Sequence, residues 1–534
     1  MIKRAIVLLL CTAVIVSLFT ACASSGSDNK PITYNMGANP KTIDPHLNNA
    51  VEAGSVIVHC FEGLTRKDAE GKIQPGMAER WDISDDGTKY TFYLRDAKWS
   101  DGKPVTAHDF VYSWRRAVDP NTGAEYAYQL WYIKNAQAIT EGKMSPKELG
   151  VRAVDDKTLE VELEAPCAYF LQLTAFPTLF PVREDIIEKY GDGWANNPET
   201  YITNGPMVIT EFVVNEKIVL KKSDTYWNKD AIKADELVFT MISDPASELS
   251  AFEAGEIDFA DSPPAEEIPR LKKEGKLTVK PQLGTYFYCL NVEKPPLDNP
   301  KVRKALALAI DRQYIIDNAA KNSAFPAYAW VPPGMPDAKE GSDFRKVGGN
   351  YIGEDYKKNV EEAKKLLAEA GYPNGEGFPE LTLLFNSEGG HKTIAEAVQE
   401  MWKNNLGINV KLDSQEWAVF QETRTQGNYE IARHGWVGDY VDPMTMLDMW
   451  HSKSGQNDAR WKNSEYDRLI ELAKRSGDQK ERMEAMHKAE EILMTEMPII
   501  PIYYYTDLYL INPKIKGFYY DPLGFKVFLY ATKK

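Results

Sequence analysis

The chain has 534 residues and a formal net charge of −15 at pH 7, a length that exceeds one hydrophobic core and calls for at least two domains. An acidic balance of this size argues against a nucleic-acid partner. Aromatic residues make up 11% of the chain, with 12 Trp and 28 Tyr; such a surplus suits surfaces that offer a ligand one apolar face and one hydrogen-bonding edge, although core packing is the ordinary use of each ring.

The N-terminal "MIKR" places two cations ahead of "AIVLLLCTAVIVSLFTA", an uncharged apolar run with the layout of a secretory signal. The run ends in "LFTAC", and the polar "ASSGSDNK" that follows Cys22 suits a flexible tether. This resembles a bacterial lipobox, with Phe19 where the pattern has leucine. The resemblance implies a signal peptide over residues 1–21 and a lipidated tether over 22–30. Cys22 would carry a diacylglycerol thioether and an N-acyl chain such as palmitate, and two or more chains anchor stably. The alternative is an uncleaved membrane helix, for which the run is at the short end of what spans a bilayer. Cleavage would remove Lys3 and Arg4 and take the charge from −15 to −17.

Beyond the tether, "TKYTFYLR" (88–95) alternates with Tyr90, Phe92 and Leu94 on one face, and "TLEVELE" (158–164) sets Leu159, Val161 and Leu163 against three glutamates. Both predict half-buried strands. "NPKVRKALALAIDRQYIIDNAA" opens a helix with Asn299 as cap and Pro300 in the first turn, and continues with apolar residues at Val302, Leu306, Ala309 and Ile310. "NVEEAKKLLAEAGY" runs helical to Gly371, and "SEYDRLIELAKRSGD" with "KERMEAMHKAEEILMTEMP" predicts a helical pair. Strands and helices intermix along the whole length, which predicts an α/β or α+β plan.

Cys60, Cys167 and Cys289 remain once Cys11 and Cys22 are set aside, enough for one disulfide at most. No CxxC or Cys/His cluster has zinc spacing, and the seven histidines are scattered, so no metal or other cofactor is expected. GxSxG, HExxH, GxxxxGK[ST] and a clean GxGxxG after a strand are all missing, and the chain reads as a non-enzyme without a nucleotide site. With 78 Asp and Glu, a hydrolase carboxylate pair stays formally open.

"AERWDISDDGTKYTFYLRDAKWSDGKPVTAHDFVYSWRRAVDP" (78–120) resembles the signature of the peptide/nickel class, family 5, of ABC-transporter solute-binding proteins. The likeness continues through "TNGPMVITEFVVNEKIVLKKSDTYWN", "NPKVRKALALAIDR", "EEAKKLLAEAGYP" and "PIYYY", and it is nearest to the oligopeptide-binding branch. It implies an α/β, two-lobed fold of the type II periplasmic-binding-protein kind with an extra domain, three in all, and a ligand buried between the lobes. Family boundaries place domain I at 24–61, 184–283 and 507–534, domain II at 62–183 and domain III at 284–506. Paired crossover strands would then serve as a hinge.

A receptor tolerant of side chains must hold what every peptide shares, its main chain and two charged ends. The resemblance places Asp439, in "ARHGWVGDYVDP", against the ligand's α-amino group. From that stretch alone Asp439 reads equally well as the cap of a turn before "DP". By the same resemblance, Arg433 and His391 meet the carboxylates of ligands of different length, Arg424 is a further ligand-binding cation, and Trp417, Trp436, Tyr126 and Tyr505 line the chamber. Gly435 and Gly438 would admit close backbone approach to the ligand. A lone histidine or aromatic is structural by default.

Some positions depart from the family pattern: Thr425 where a histidine is found, Asn49 where an acid is found, and Ala320 beside Lys321 where a lysine associated with short ligands is found. Gly284 and Val437 occupy the positions of a disulfide known in relatives, so that bridge cannot form. Dipeptides are thereby the weakest expectation. The sequence thus predicts a monomeric, lipid-anchored, extracytoplasmic receptor that delivers short peptides to an ABC permease and its ATPase subunits. The rivals are a receptor for one signalling peptide and a family member adapted to nickel chelates, haem or sugars.

Overall fold

Alternation of apolar residues sets several of the strands, and side-chain caps start many, though not all, of the helices. The computed structural model describes residues 30–534 apart from 38, 49, 70, 262, 322, 388, 389 and 522; the presequence, Cys22 and Asn49 lie outside the described residues. β1 (Ile32–Asn35) is followed by α1 (Val51–Cys60). The two strands expected from alternation belong to an antiparallel four-stranded sheet. It consists of β2 (Ala78–Ile83), β3 (Lys89–Leu94), β4 (Val151–Asp155) and β5 (Thr158–Glu162) in the order β2-β3-β5-β4. Tyr90, Phe92, Leu94, Leu159, Val161 and Leu163 are all buried on its inner face. α2 (Ala107–Val118) begins at a reciprocal cap between Thr106 and Asp109 and buries Trp114, whose indole N–H donates to the Leu179 carbonyl at 2.9 Å.

Apart from three two-stranded ribbons, the other described strands build one eleven-stranded sheet. Its strands are β1, β6 (Met207–Val213), β7 (Lys217–Lys222), β8 (Glu236–Thr240), β9 (Phe259–Ala260), β10 (Leu277–Leu290), β11 (Leu381–Asn386), β12 (Val410–Gln415), β13 (Ile431–Val437) and β14 (Ile499–Ile511). They run in the order β12-β11-β13-β10-β14-β9-β1-β8-β7-β6, with Phe325–Pro326 added against β14. β10 and β14 are the long antiparallel pair at its centre. Their register breaks between Pro281 and Thr285. On one side of the break the pair continues toward β9 and β1, on the other toward β13, β11 and β12. Two strands therefore carry the sheet from one half of the molecule to the other.

Helices α3 (Pro300–Leu308), α4 (Tyr356–Glu369), α5 (His391–Leu406), α6 (Trp417–Thr425), α7 (Ser464–Arg475) and α8 (Gln479–Glu496) belong to the second half. Asn299, Asp355, Asn463 and Asp478 each accept a first-turn N–H as caps. α7 and α8 form the expected pair. The helical pattern expected from Asn299 onward does not run unbroken. α3 stops at Leu308, and Asp311 caps a new turn by accepting the Tyr314 N–H at 2.9 Å. The Arg312 guanidinium donates to the carbonyls of Ala307, Ile310 and Pro501, which occupies acceptors that a continuous helix would use. Residues Ile315–Ala320 then wind as a π-helix. Cys60, Cys167 and Cys289 are free and buried, so none of the pairings left open by the sequence is formed.

Candidate ligand-binding site

β13 lies between β10 and β11, and its side chains alternate across the sheet. Gly435 pairs with Tyr286 and Arg433 with Tyr288 on β10, while Tyr286 also faces Tyr503 on β14. Tyr286 stacks on Tyr503 with ring centroids 4.7 Å apart, and Tyr505 meets both rings edge-on at 6.3 and 5.8 Å. Arg433 sits in this tyrosine cluster, its guanidinium 5.2 Å from the Tyr286 ring centroid and its Nη1 donating to Asn386 Oδ1 at 3.5 Å. Its Nε is buried without a hydrogen-bond partner, and no carboxylate of the described residues pairs with it. Burial opposes its charge, but the hydroxyls of Tyr505, Tyr286 and Tyr503 outweigh that and hold its pKa above the usual arginine value.

Asp439 lies at the other end, in the turn after β13, and is 8% exposed. Its backbone N–H donates to Thr445 Oγ1 at 2.9 Å, and the preceding Gly438 N–H donates to the Leu283 carbonyl at 2.7 Å, so the turn is fixed on both sides. The Tyr128 hydroxyl donates to Asp439 Oδ2 at 2.9 Å. No cation of the described residues pairs with the carboxylate. Burial pushes its pKa from 3.8 up to about 7; hydrogen bonds from Tyr128, Tyr126 and Gln129 pull it down and the nearby Asp448 pushes it up. Asp439 does not cap the turn before Pro443. Asp442 does, accepting the Met444 N–H at 3.0 Å while Arg482 holds both of its oxygens at 3.1 Å. A cavity of about 80 Å³ opens beside Asp439, walled by Asn48, Val51, Tyr126, Phe176 and Thr178.

The Asp439 turn also joins residues far apart in sequence. Tyr169 stacks on Tyr440 with ring centroids 4.3 Å apart, and the Gln172 amide brackets Val441, accepting its N–H at 3.0 Å and donating to its carbonyl at 3.4 Å. The segment carrying the four-stranded sheet thus grips the second half of the molecule next to the buried acid.

The other expected residues divide. Tyr126 lines the Asp439 cavity and stacks on Tyr128. Trp436 donates its indole N–H to the Thr445 carbonyl at 2.8 Å and so braces the same turn. His391 is the first residue of α5 and stacks on Tyr286, 3.2 Å from its hydroxyl through Nδ1, which places it in the Arg433 cluster. Trp417 is 42% exposed and stacks only partway, on Phe420. Arg424, expected at the ligand, instead donates through Nε to Asp458 at 2.8 Å in the interior of its half, where His434 approaches the same carboxylate at 3.4 Å. Burial and Arg424 push the His434 pKa down to about 4, so this imidazole is neutral. Gly435 does permit close approach, but of Tyr505 rather than of open space. Tyr286, Tyr503, Tyr128 and Gln129 were not singled out by sequence. The alternation in "GTYFYCL" and "PIYYY" marks which tyrosines share a face, but not which strands meet.

Among the described residues no group of three or more His, Cys, Asp or Glu is arranged to hold a metal ion, and no helix is long and apolar enough to cross a membrane.

Two halves joined by a pair of long strands, with a buried acid in the turn at one end of β13 and a guanidinium in a tyrosine cluster farther along the same strand, are the arrangement of a solute-binding protein. The chain belongs to the bacterial extracellular solute-binding proteins of family 5, whose middle region matches residues 72–458. It is 42% identical to the oligopeptide-binding protein OppA of Bacillus subtilis over 91% of this chain and 89% of that one. The OppA of Haemophilus influenzae in complex with the peptide RPPGFSPFR superposes with a TM-score of 0.83 at 37% identity, covering 95% of this chain and 99% of that one. Against the murein tripeptide-binding protein MppA in its unliganded open form the TM-score is 0.74 at 38% identity, with 93% and 95% covered. The fold is accordingly the two-lobed α/β fold of type II periplasmic binding proteins.

Proposed function

We propose that this chain is a lipid-anchored extracytoplasmic receptor that captures short peptides by main chain and termini and hands them to an ABC permease. One observation carries the reading: among the described residues, a buried carboxylate without a cation and a half-buried guanidinium without a carboxylate lie six positions apart on one strand and its turn. A buried charge left without a partner is costly. A ligand bearing an ammonium at one end and a carboxylate at the other relieves both at once. Six residues at ~3.3 Å each span roughly 20 Å of extended chain, and the reach of the two side chains shortens that to the scale of tri- to pentapeptides. The relatives named for oligopeptides support the same ligand class.

In this reading domains I (24–61, 184–283 and 507–534) and II (62–183) form one lobe, and domain III (284–506) forms the other. The hinge falls at the register break of β10 and β14. Cys22 bears the lipid, and the ATP-hydrolysing subunits are partners. Calorimetry with a tri- to pentapeptide library tests the proposal. N-acetylation and Asp439→Asn should each weaken binding by about two to four decades, the loss expected when a buried pair is broken. Equal affinity for acetylated and free peptides rejects it, and native mass spectrometry of the purified protein should reveal bound peptides.

A further inference from the structure

The grip between the two halves is built outside the chamber. Tyr169, 3% exposed in the segment of the four-stranded sheet, lies on Tyr440 with the ring planes 11° apart, and its hydroxyl donates to Tyr132 Oη at 3.0 Å. Tyr132 Oη in turn stands 3.5 Å from the Tyr440 hydroxyl, which ties the same segment to the second half again. From the second half, the Arg482 guanidinium carbon stands 5.6 Å from the Tyr169 ring centroid, a cation–π contact across the junction. Arg482 is held rigidly in its own half: Nη2 donates to both Asp442 oxygens at 3.1 Å, Nε to the Ala473 carbonyl at 3.0 Å and Nη1 to Gln479 Oε1 at 2.6 Å. Together with the Gln172 bracket on Val441, all of these contacts join protein groups to each other. None of Tyr132, Tyr169, Gln172, Tyr440 and Arg482 walls the Asp439 cavity.

Such a seam is strong enough to close the molecule and too small to fuse it. A stacked aromatic pair and a buried cation–π contact shift an equilibrium by about one to two decades. A handful of side chains is far from the large apolar interface that makes two domains one body. The halves are already joined through β10 and β14, so bringing the seam together is an intramolecular event without the cost of associating free partners. We propose that Tyr132, Tyr169, Gln172, Tyr440 and Arg482 form a clasp that keeps the lobes closed in a large share of molecules without a guest, with Arg482 as its fixed end. Every peptide complex then adopts a shape that the free receptor already populates, and all affinities gain by the same factor. The chamber sets the preference among guests, and the clasp sets how tightly any of them is held. The inference rests on the reading of the two halves as lobes.

Cys167 supplies the readout. It is 5% exposed, two residues from Tyr169 and within electrostatic reach of Arg482 and Asp442, and burial pushes its thiol up to about 12. Cys60 and Cys289 are buried in the two halves and serve as controls. The test is maleimide labelling, located by peptide mass spectrometry, together with small-angle scattering. Wild type, Tyr440→Ala and Gln172→Ala are compared without peptide and with a saturating tripeptide. Without peptide, each variant should label at Cys167 about tenfold faster than wild type and show a larger radius of gyration, while Cys60 and Cys289 stay protected. The tripeptide should return both readouts to the wild-type values; a hole left by the shortened side chain would keep Cys167 reactive. Gln172 is only half-buried, so Gln172→Ala decides the matter if Tyr440→Ala does not fold. Equal labelling and equal size of the peptide-free wild type and variants overturn the proposal, as does labelling that persists in peptide-bound variants. A tripeptide that binds none of the three proteins instead rejects the peptide reading, and the peptide-free comparison then decides the clasp alone.

Discussion

The Tyr505 hydroxyl lies where a side chain on Gly435 would begin: a Cβ there would stand 2.1 Å from Tyr505 Oη and 3.1 Å from Cζ. Gly284 is held to the same rule, its Cβ position being 2.8 Å from Tyr505 Cδ2. Gly435→Ala should therefore displace the ring at a cost of about 1 to 3 kcal/mol, typical of overpacking. Removing the obstructing oxygen by Tyr505→Phe should restore much of that loss. Denaturant unfolding and peptide calorimetry on the single and double variants check it. A Gly435→Ala protein with unaltered stability and affinity would show that the contact is yielding.

Asp439 makes stability and binding respond to pH in opposite directions. Its folded-state pKa of about 7 lies above the unfolded value near 3.8, so between these values the folded protein retains a proton that the unfolded chain has lost. The stabilisation is complete below about pH 4 and is lost as pH rises through 7. The gap between the folded and unfolded values corresponds to ~4 kcal/mol. Asp439→Asn should flatten that slope and raise stability at pH 8, read by chemical denaturation. Peptide affinity should instead climb from pH 5 to about 7.5 as Asp439 ionises, and fall above about 8 as the ligand's amine loses its charge.

The two arginines expected at the ligand should separate. Arg433→Met should abolish discrimination between peptide acids and peptide amides, because no carboxylate of the described residues pairs with its guanidinium. Arg424→Met should keep that discrimination but destabilise the protein by about 3 to 5 kcal/mol, since it leaves the buried Asp458 carboxylate without its arginine. Calorimetry with acid and amide peptides, paired with unfolding curves, distinguishes them.

Tyr440→Ala removes the stack on Tyr169 without touching the proposed ligand contacts. Affinity should fall by a similar factor for every peptide, with the change in the dissociation rate. Stopped-flow release measured on several sequences checks this. A change in ranking among peptides would mean that Tyr440 reads the ligand.

Much of the framework was legible in the sequence because it is local. The alternation of Tyr90, Phe92 and Leu94 gave the strand, and Asn299, Asn463 and the turn at Gly371, with φ of 97°, gave helix ends. The break after Leu308 was hidden, because it depends on Arg312 reaching the Pro501 carbonyl 189 residues away. The site was half legible. Asp439 and Arg433 sit on one short stretch whose family likeness is visible, whereas Tyr128 reaches Asp439 across 311 positions. Asp458 claims Arg424 in the same non-local way, and no spacing rule announces either contact.

The register break of β10 and β14 leaves residues 282–284 opposite Tyr505, the ring that forms the floor beneath Gly435. In the proposed reading a swing of one lobe about that joint tilts this phenol relative to β13, so opening the vessel also deforms its floor.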